Sequence, residues 1–226
     1  MERTIRNLAA EARDQFDRYE DHDEVLSKSI PVLYFGNLEA YRSSDLKVIT
    51  VGSNPSDHEF LSDDGDPVED PYWRFSSIGP PGSYSHDEYR EALGSYFKED
   101  SNSDEHAGSD GGSDYDDWFQ QYEQVLKGLE ASYYDRAAHT ALHTDLHSPL
   151  ATCVSWSNFG DEAPDLKESL RAEGIPLWHR LAKALQPPRG DGSLQNQAVR
   201  GDLIQLDDGF AQLTHKRSII TFRRLP

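Results

Sequence analysis

Residues 47–56 read Lys47-Val-Ile-Thr-Val-Gly-Ser-Asn-Pro-Ser56, which is the pattern of a short buried strand that runs into a tight turn. The first five residues are mostly apolar and β-branched, as in buried strands. Gly52 permits a sharp turn or the close approach of a ligand, and Pro55 ends the strand. Ligands of open α/β sheets bind at the carboxyl ends of the strands. Asn54, whose amide can both donate and accept hydrogen bonds, is therefore a candidate site residue.

The rest of the first 186 residues alternates helical and strand patterns. Apolar periodicity predicts a second core strand over residues 137–146. Helices are predicted over four segments: 3–20, 87–97, 116–133 and 165–185, the last with a break near Gly174-Ile-Pro176. Residues 56–86 read as a long functional loop, and residues 99–114 as a disordered acidic insertion. This alternation favours an α/β fold in which helices cover both faces of a parallel sheet.

Length and cysteine content indicate a cytoplasmic protein. A chain of 226 residues is long enough for one α/β domain with a substantial core. No apolar run is long enough to span a membrane, and the first residues lack the apolar stretch of a signal peptide. Cys153 is the single cysteine, so no intramolecular disulfide can form, as is usual in a reducing cytosol.

The net charge of −19 allows two interpretations. Taken alone, it argues against nucleic-acid binding, because cationic side chains normally neutralise the phosphates. However, 41 acidic residues, low apolar content and only 7 lysines against 15 arginines are typical of halophilic proteins. In molar salt the Debye length is roughly 3 Å, so an acidic surface repels DNA only weakly. We favour the halophilic interpretation.

The composition changes near Pro187. Residues 1–186 carry a net charge of −21, whereas residues 187–226 carry +2. The segment that begins Pro187-Pro-Arg-Gly-Asp-Gly reads as a loop. Three explanations for this tail remain open: a divergent ending, a linker to something not encoded here, or a reading-frame shift that replaced the native C-terminus. We favour the frame shift, which predicts that an alternative frame near codon 187 continues an acidic, strand-like sequence.

Three segments carry a resemblance to a known family. Gly52-Ser-Asn-Pro55 resembles the first motif of the uracil-DNA glycosylase superfamily, most closely the mismatch-specific uracil/thymine branch, where Gly-Ile-Asn-Pro-Gly follows a strand. Pro71-Tyr-Trp-Arg-Phe75 resembles the Asn-Arg-Phe-Trp stretch of that branch, and His143-Thr-Asp-Leu-His-Ser-Pro149 its Thr-Lys/Asn-Leu-Val-x-x-Pro segment. The resemblance covers residues 30–186. The family's second motif, a His- or Asn-Pro-Ser loop, is absent from the sequence.

The resemblance implies a three-layer α/β/α domain over residues 1–186, with a central, mostly parallel four-stranded sheet. It implies a monomeric DNA-repair enzyme that hydrolyses the N-glycosidic bond of uracil or a related deaminated or mismatched base. Neither a cofactor nor a membrane is expected, and the partner is damaged or mismatched DNA. Because the second motif is missing, a catalytically inactive protein that binds a nucleotide or nucleic acid is the alternative.

Site residues follow from the same resemblance. Asn54 would position the attacking water, or would merely stabilise the turn. Asp57 would supply a carboxylate base, or would cap a helix. The flipped base would lie in a turn formed by Gly52, Ser53, Pro55 and Ser56, against the N–H groups of residues 56 and 57. Phe75, with Phe60 as the alternative, would stack on the base, or Phe75 would be an ordinary core residue.

A polar cluster follows the second predicted strand. Asp145 stands where the family has Lys or Asn, so it could accept a hydrogen bond from an N–H group of the base. His147 is predicted to share its face of the strand with His143 and Asp145. These three side chains could instead form a metal site in a hydrolase, since two imidazoles and a carboxylate are a familiar ligand set. They could also simply line a cleft.

Overall fold

The computed structural model of the protein shows a mixed α/β architecture, as predicted. It describes residues 2–61, 65, 75, 78, 84–97, 114–135, 138–186, 203–206, 210–215 and 218–224. The helices are α1 (Glu2–Tyr19), α2 (Leu38–Ser43), α3 (His86–Ser95), α4 (Asp114–Lys127), α5 (Trp156–Glu162) and α6 (Pro164–Leu185), with a 3-10 turn at Asp57–Glu59. The strands are β1 (Leu46–Gly52), β2 (Ala131–Ser132), β3 (His139–Asp145), β4 (Leu203–Leu206), β5 (Phe210–His215) and β6 (Ser218–Arg224).

The strands form one sheet in the order β2-β3-β1-β6-β5-β4. The two strands predicted from sequence, β1 and β3, are parallel neighbours, and β2 extends the parallel part on the far side of β3. The parallel part therefore has three strands, whereas a mostly parallel sheet of four strands was predicted. Strands β6, β5 and β4 add to the edge of β1 in antiparallel pairs. Their connections span only two or three residues, and such short connections can join only antiparallel strands.

The two faces of β1 and β3 differ in chemistry. Paired residues of parallel strands share a face, so Thr50 lies beside His143 and Gly52 beside Asp145. Phe119 of α4 packs against the His143 ring on this face, with 5.2 Å between ring centroids. On the opposite face, Trp178 of α6 donates from Nε1 to Thr144 Oγ1 at 3.0 Å.

The helices follow from amphipathic patterns and end signals. In α1, an apolar stripe is buried: Ile5, Leu8, Ala9, Ala12 and Phe16. Helix α3 begins with a capping box, in which Ser85 Oγ accepts from the Glu88 N–H and the Glu88 carboxylate accepts from the Ser85 N–H. No helix within the described ranges has both the length and the apolar character to cross a membrane. Most of the predicted 56–86 loop and nearly all of the predicted 99–114 insertion lie outside the described residues.

Helix α6 runs without interruption through Gly174-Ile-Pro176, so the predicted break is wrong. Gly174 fits the helix against the segment after β3, because a Cβ at this position would lie 2.0 Å from the His147 carbonyl oxygen. Leu170 and Leu177 are buried on either side of this contact. This packing outweighs the cost of about 3 kcal/mol that a proline imposes within a helix. As a result, the helix packs closely against the loop that follows β3.

Candidate functional site

Two of the three resembling segments, those that contain Gly52 and Asp145, meet at the carboxyl ends of β1 and β3. Gly52 and Asp145 are register partners at these ends. The pairing continues beyond the strands, since Leu146 N donates to Gly52 O at 3.1 Å and His147 N donates to Ser53 O at 2.9 Å. Four of the predicted site residues, Gly52, Ser53, Asp145 and His147, are therefore held side by side by main-chain hydrogen bonds.

A glycine is required at position 52 because the Asp145 carboxylate approaches the main chain closely there. A Cβ at this position would lie 2.5 Å from Asp145 Oδ1 and 3.1 Å from His143 Nε2. The first distance is far below any normal contact, so a larger residue would displace the carboxylate. The glycine of the first motif thus makes room for the two polar side chains of β3.

The two oxygens of the buried Asp145 carboxylate have different surroundings. Its side chain is only 2% exposed, and Oδ1 lies 3.6 Å from His143 Nε2. Among the described residues, no hydrogen-bond donor reaches Oδ2. A buried polar atom without a partner costs about 1–3 kcal/mol, and more if the group is charged. Such an unsatisfied group in a native fold calls for an explanation, and a ligand-binding role is one.

A buried hydrogen-bond chain leads from this carboxylate into the core. His143 Nδ1 lies 2.7 Å from Thr50 Oγ1, which in turn bonds to the Tyr133 hydroxyl. All three side chains are buried, and desolvation raises the pKa of the Tyr133 phenol well above its usual value. Thr50 and Tyr133 were not predicted as site residues. The available signal was a threonine inside a mostly apolar strand, two positions before Gly52.

His147 lies next to Asp145 with its ring parallel to that of Trp156, at 5.1 Å between centroids. Its Nδ1 is buried and has no hydrogen-bond partner in the described part of the chain. Burial lowers the pKa of His147, and the charge of Arg171 lowers it further, while Asp145 opposes the shift. The imidazole is therefore neutral near pH 7, and Trp156 is a further residue at this site that the sequence analysis missed.

Asn54 ties the turn after β1 to the loop after β3. Its Nδ2 donates to Pro55 O at 2.9 Å, to Thr152 Oγ1 at 3.0 Å and to Leu150 O at 3.3 Å. The side chain thus stabilises the turn, which is one of the two predicted roles. Since three acceptors fix the N–H₂ group, the orientation of Oδ1 is fixed as well. Oδ1 accepts no hydrogen bond from the residues that the structure describes.

Asp57 and Ser56 begin the 3-10 turn that follows. Ser56 Oγ accepts from the His58 N–H at 3.3 Å and donates to Asp57 Oδ1 at 2.9 Å. Ser56 is thus the cap, and the Asp57 carboxylate is held by it. The N–H groups of both residues donate to no acceptor in the described ranges, as is usual at the start of a helical turn.

The predicted stacking role of Phe75 is not compatible with its position. The ring is fully buried and lies parallel to that of Phe60, with 5.4 Å between centroids. Phe35 and Tyr96 pack around it at 6.0 and 5.1 Å. Phe75 belongs to the core because aromatic rings distant in sequence enclose it, and it offers no free face to a base.

The metal-site alternative is not supported by the donor geometry. Within the described residues, no group of three His, Cys, Asp or Glu side chains is arranged to hold a metal ion. One nitrogen of His143 bonds to Thr50 and the other lies 3.6 Å from Asp145, so this ring belongs to the buried chain. His143, Asp145 and His147 adjoin one another without forming a ligand set.

A shallow depression of about 660 Å³ lies at the opposite edge of the sheet. Its lining includes Ser44 and Asp45, just before β1, and His139, the first residue of β3. These residues surround the amino ends of the strands, away from Asp145. Since ligands of open α/β sheets bind at the carboxyl ends, we place the candidate site at Gly52 and Asp145 and not in this depression.

Comparisons of the chain with protein-family models, with curated proteins and with solved structures found no match. The relationship to the uracil-DNA glycosylase superfamily therefore remains a prediction from the three resembling segments.

Proposed function

We propose that the protein is a uracil-DNA glycosylase-like enzyme that hydrolyses the N-glycosidic bond of uracil or a related deaminated or mismatched base in DNA. The three-layer α/β/α fold of that superfamily is part of the proposal. One observation carries it: the turn of the first motif and the Asp145 segment, 88 or more residues apart in sequence, adjoin at the carboxyl ends of two parallel strands.

Asp145 is the proposed reader of the base. A flipped base must be recognised by hydrogen bonds to its edge inside a closed site. Asp145 Oδ2 is a buried acceptor with no described protein donor, so it can accept from the imino N–H of uracil. Gly52 leaves space beside this carboxylate, and the neutral His147 ring adds a second buried polar atom.

Asn54 is the proposed water-positioning residue. An amide is too weak a base to remove a proton from water, so catalysis rests on orientation and electrostatics. The fixed N–H₂ group of Asn54 supports this role because it leaves Oδ1 as an oriented acceptor. Asp57 is the alternative base, and its carboxylate is held by Ser56.

The acidic surface is compatible with DNA binding only at high salt. At a net charge of −19 the protein repels a phosphate backbone, and this repulsion falls steeply as the Debye length shrinks. We propose a halophilic, cytoplasmic protein, and activity should therefore be assayed in molar KCl.

Base release from uracil-containing oligonucleotides tests the proposal. Single- and double-stranded substrates are incubated in low and in molar KCl, and abasic sites are detected by alkaline cleavage. We expect cleavage by the wild type and a large loss in Asn54→Ala. Folding of each variant is checked by circular dichroism in the same buffer. A folded wild-type protein that cleaves no substrate at any salt concentration would contradict an enzymatic function.

A second candidate is a catalytically inactive binding protein of the same fold. It is favoured by Asn54, whose N–H groups are all engaged in holding the turn, and by the absence of the second motif from the sequence. This candidate predicts saturable binding of a nucleotide or an oligonucleotide without release of the base.

A further inference from the structure

The buried chain Tyr133–Thr50–His143 has a direction that can be deduced from its donors and acceptors. Tyr133 and Thr50 each have one hydroxyl proton, and a neutral imidazole has one N–H. Within the described residues, Thr50 Oγ1 is the only hydrogen-bond partner of the Tyr133 hydroxyl. Thr50 Oγ1 also lies 2.7 Å from His143 Nδ1 and 3.5 Å from the Leu142 carbonyl.

Only one direction of donation along the chain gives each of these protons a nearby acceptor. If Thr50 donated to Tyr133, the buried phenolic proton would have no acceptor among the described residues. If Tyr133 donates to Thr50, the Thr50 proton is free to go to His143 Nδ1, which is far closer than the Leu142 carbonyl. His143 Nδ1 must then be without a proton, and the ring proton lies on Nε2.

His143 Nε2 is the nitrogen that faces Asp145 Oδ1, at 3.6 Å. An N–H group there is attracted to a carboxylate oxygen, whereas a bare nitrogen would repel it. The same Oδ1 lies over Gly52, where a Cβ would be only 2.5 Å away. Oδ1 is thus enclosed by the protein, and Oδ2 is the oxygen to which no described residue donates.

We infer that Thr50, which accepts from Tyr133, holds His143 in its Nε2–H form against Asp145 Oδ1, so that Asp145 Oδ2 is left to accept a hydrogen bond from an N–H group of the ligand. Thr50 and His143 are positioning residues, since they act through Asp145. The inferred ligand class is a heterocycle with an N–H on its recognised edge, and this last step rests on the proposed function. A base whose edge presents only hydrogen-bond acceptors would be repelled by the carboxylate and would bind more weakly.

The ring form of His143 can be measured without any ligand. Long-range ¹H–¹⁵N correlation spectra of the labelled wild type at pH 7 distinguish the Nε2–H, Nδ1–H and doubly protonated forms for each of the nine histidines. His143 is assigned by the signals that vanish in His143→Gln. We expect the Nε2–H form. An Nδ1–H form or a doubly protonated ring would overturn the inference.

Two variants distinguish the effect of the buried chain on the His143 ring from the effect of general packing. Thr50→Val keeps the shape of the side chain but removes the donor to Nδ1, so we expect the single ring form to give way to a mixture. Tyr133→Phe keeps the Thr50 donor, and its His143 should stay in the Nε2–H form. A mixture in Tyr133→Phe together with an unchanged ring in Thr50→Val would contradict the inferred direction.

The ligand class is tested by titrating the protein with free uracil or with N3-methyluracil in molar KCl. Binding is followed by the NMR signals of His147. A hydrogen bond to a carboxylate corresponds to a roughly 10- to 150-fold change in affinity, so N3-methyluracil should bind at least about tenfold more weakly. Equal binding, or no binding of either base, would overturn the ligand class. Selective binding of uracil without base release from DNA would overturn the hydrolytic function alone and leave this inference standing.

Discussion

Replacement of Gly52 by alanine should show how closely β1 and the Asp145 carboxylate approach each other. The new Cβ would lie 2.5 Å from Asp145 Oδ1. The carboxylate must retreat by roughly 0.8 Å to reach the ~3.3 Å of an ordinary C···O contact. Overpacking of this kind costs about 1–3 kcal/mol. A shifted carboxylate weakens the proposed hydrogen bond to the base, so base release should fall by up to roughly tenfold, and by no more than in Asp145→Ala.

A double-mutant cycle with Asp145→Ala attributes this cost to the carboxylate. When the carboxylate is absent, only the 3.1 Å contact with His143 Nε2 remains, and Gly52→Ala should become much milder. We expect the double variant to be about 1–2 kcal/mol more stable than the sum of the single effects. The free energy of unfolding is measured by urea titration at constant molar KCl, with tryptophan fluorescence as the signal.

Gly94→Ala is the matched control. Gly94 lies within α3, and a Cβ there would meet no atom within 4 Å. This variant should be neutral or up to about 1 kcal/mol more stable, because alanine favours helices. Additivity of Gly52→Ala and Asp145→Ala to within about 0.5 kcal/mol would refute the close approach on which the site geometry depends.

Three further predictions concern the neighbouring loop. Gly174→Ala should destabilise the protein by about 3 kcal/mol or more in urea unfolding, because its Cβ would lie 2.0 Å from a rigid main-chain oxygen of His147; a stability equal to the wild type would refute this helix–loop contact. The pKa of His147 is lowered in the folded protein, so its contribution to stability is present above the ordinary pKa near 6.5 and is lost as the pH falls through the folded pKa. The free energy of unfolding should therefore decrease between pH 7.5 and pH 5, and this decrease should be smaller in His147→Gln. The same pH dependence in both proteins would contradict this prediction. Asn54→Ala should lower stability by about 1–2 kcal/mol because Thr152 and a main-chain oxygen lose their donor, whereas no change in the urea midpoint would show that Asn54 does not hold the turn.

The sequence predicted much of what positions the site. The β-branched run before Gly52 forms β1, and residues 139–145 of the predicted 137–146 strand form β3, its parallel neighbour. Period-two alternation also placed His143 and Asp145 on one face. The pairing partner of each residue depends on register, which a single strand does not reveal. For this reason the chain from Asp145 through His143 to Thr50 and Tyr133 was not anticipated.

Other features depend on contacts between residues far apart in sequence. Phe75 lies in a polar stretch that reads as a loop, yet Phe60 and Tyr96 enclose its ring. Gly174 and Pro176 are breakers by local preference, but the close packing against His147 requires the glycine and keeps the helix intact. The strands within residues 203–224 were also not predicted, although alternating apolar residues occur on both sides of Asp207-Asp-Gly209.

Single-turnover base release from a uracil-containing oligonucleotide in molar KCl, by the wild type and by Asp145→Ala, tests the central claim most directly. Asp45→Asn, at the opposite edge of the sheet, is the control for the removal of one negative charge. We predict that the wild type and the control release uracil at similar rates and that Asp145→Ala is slower by at least about tenfold. Release by Asp145→Ala at the wild-type rate would contradict the assignment of the site to the carboxyl ends of β1 and β3.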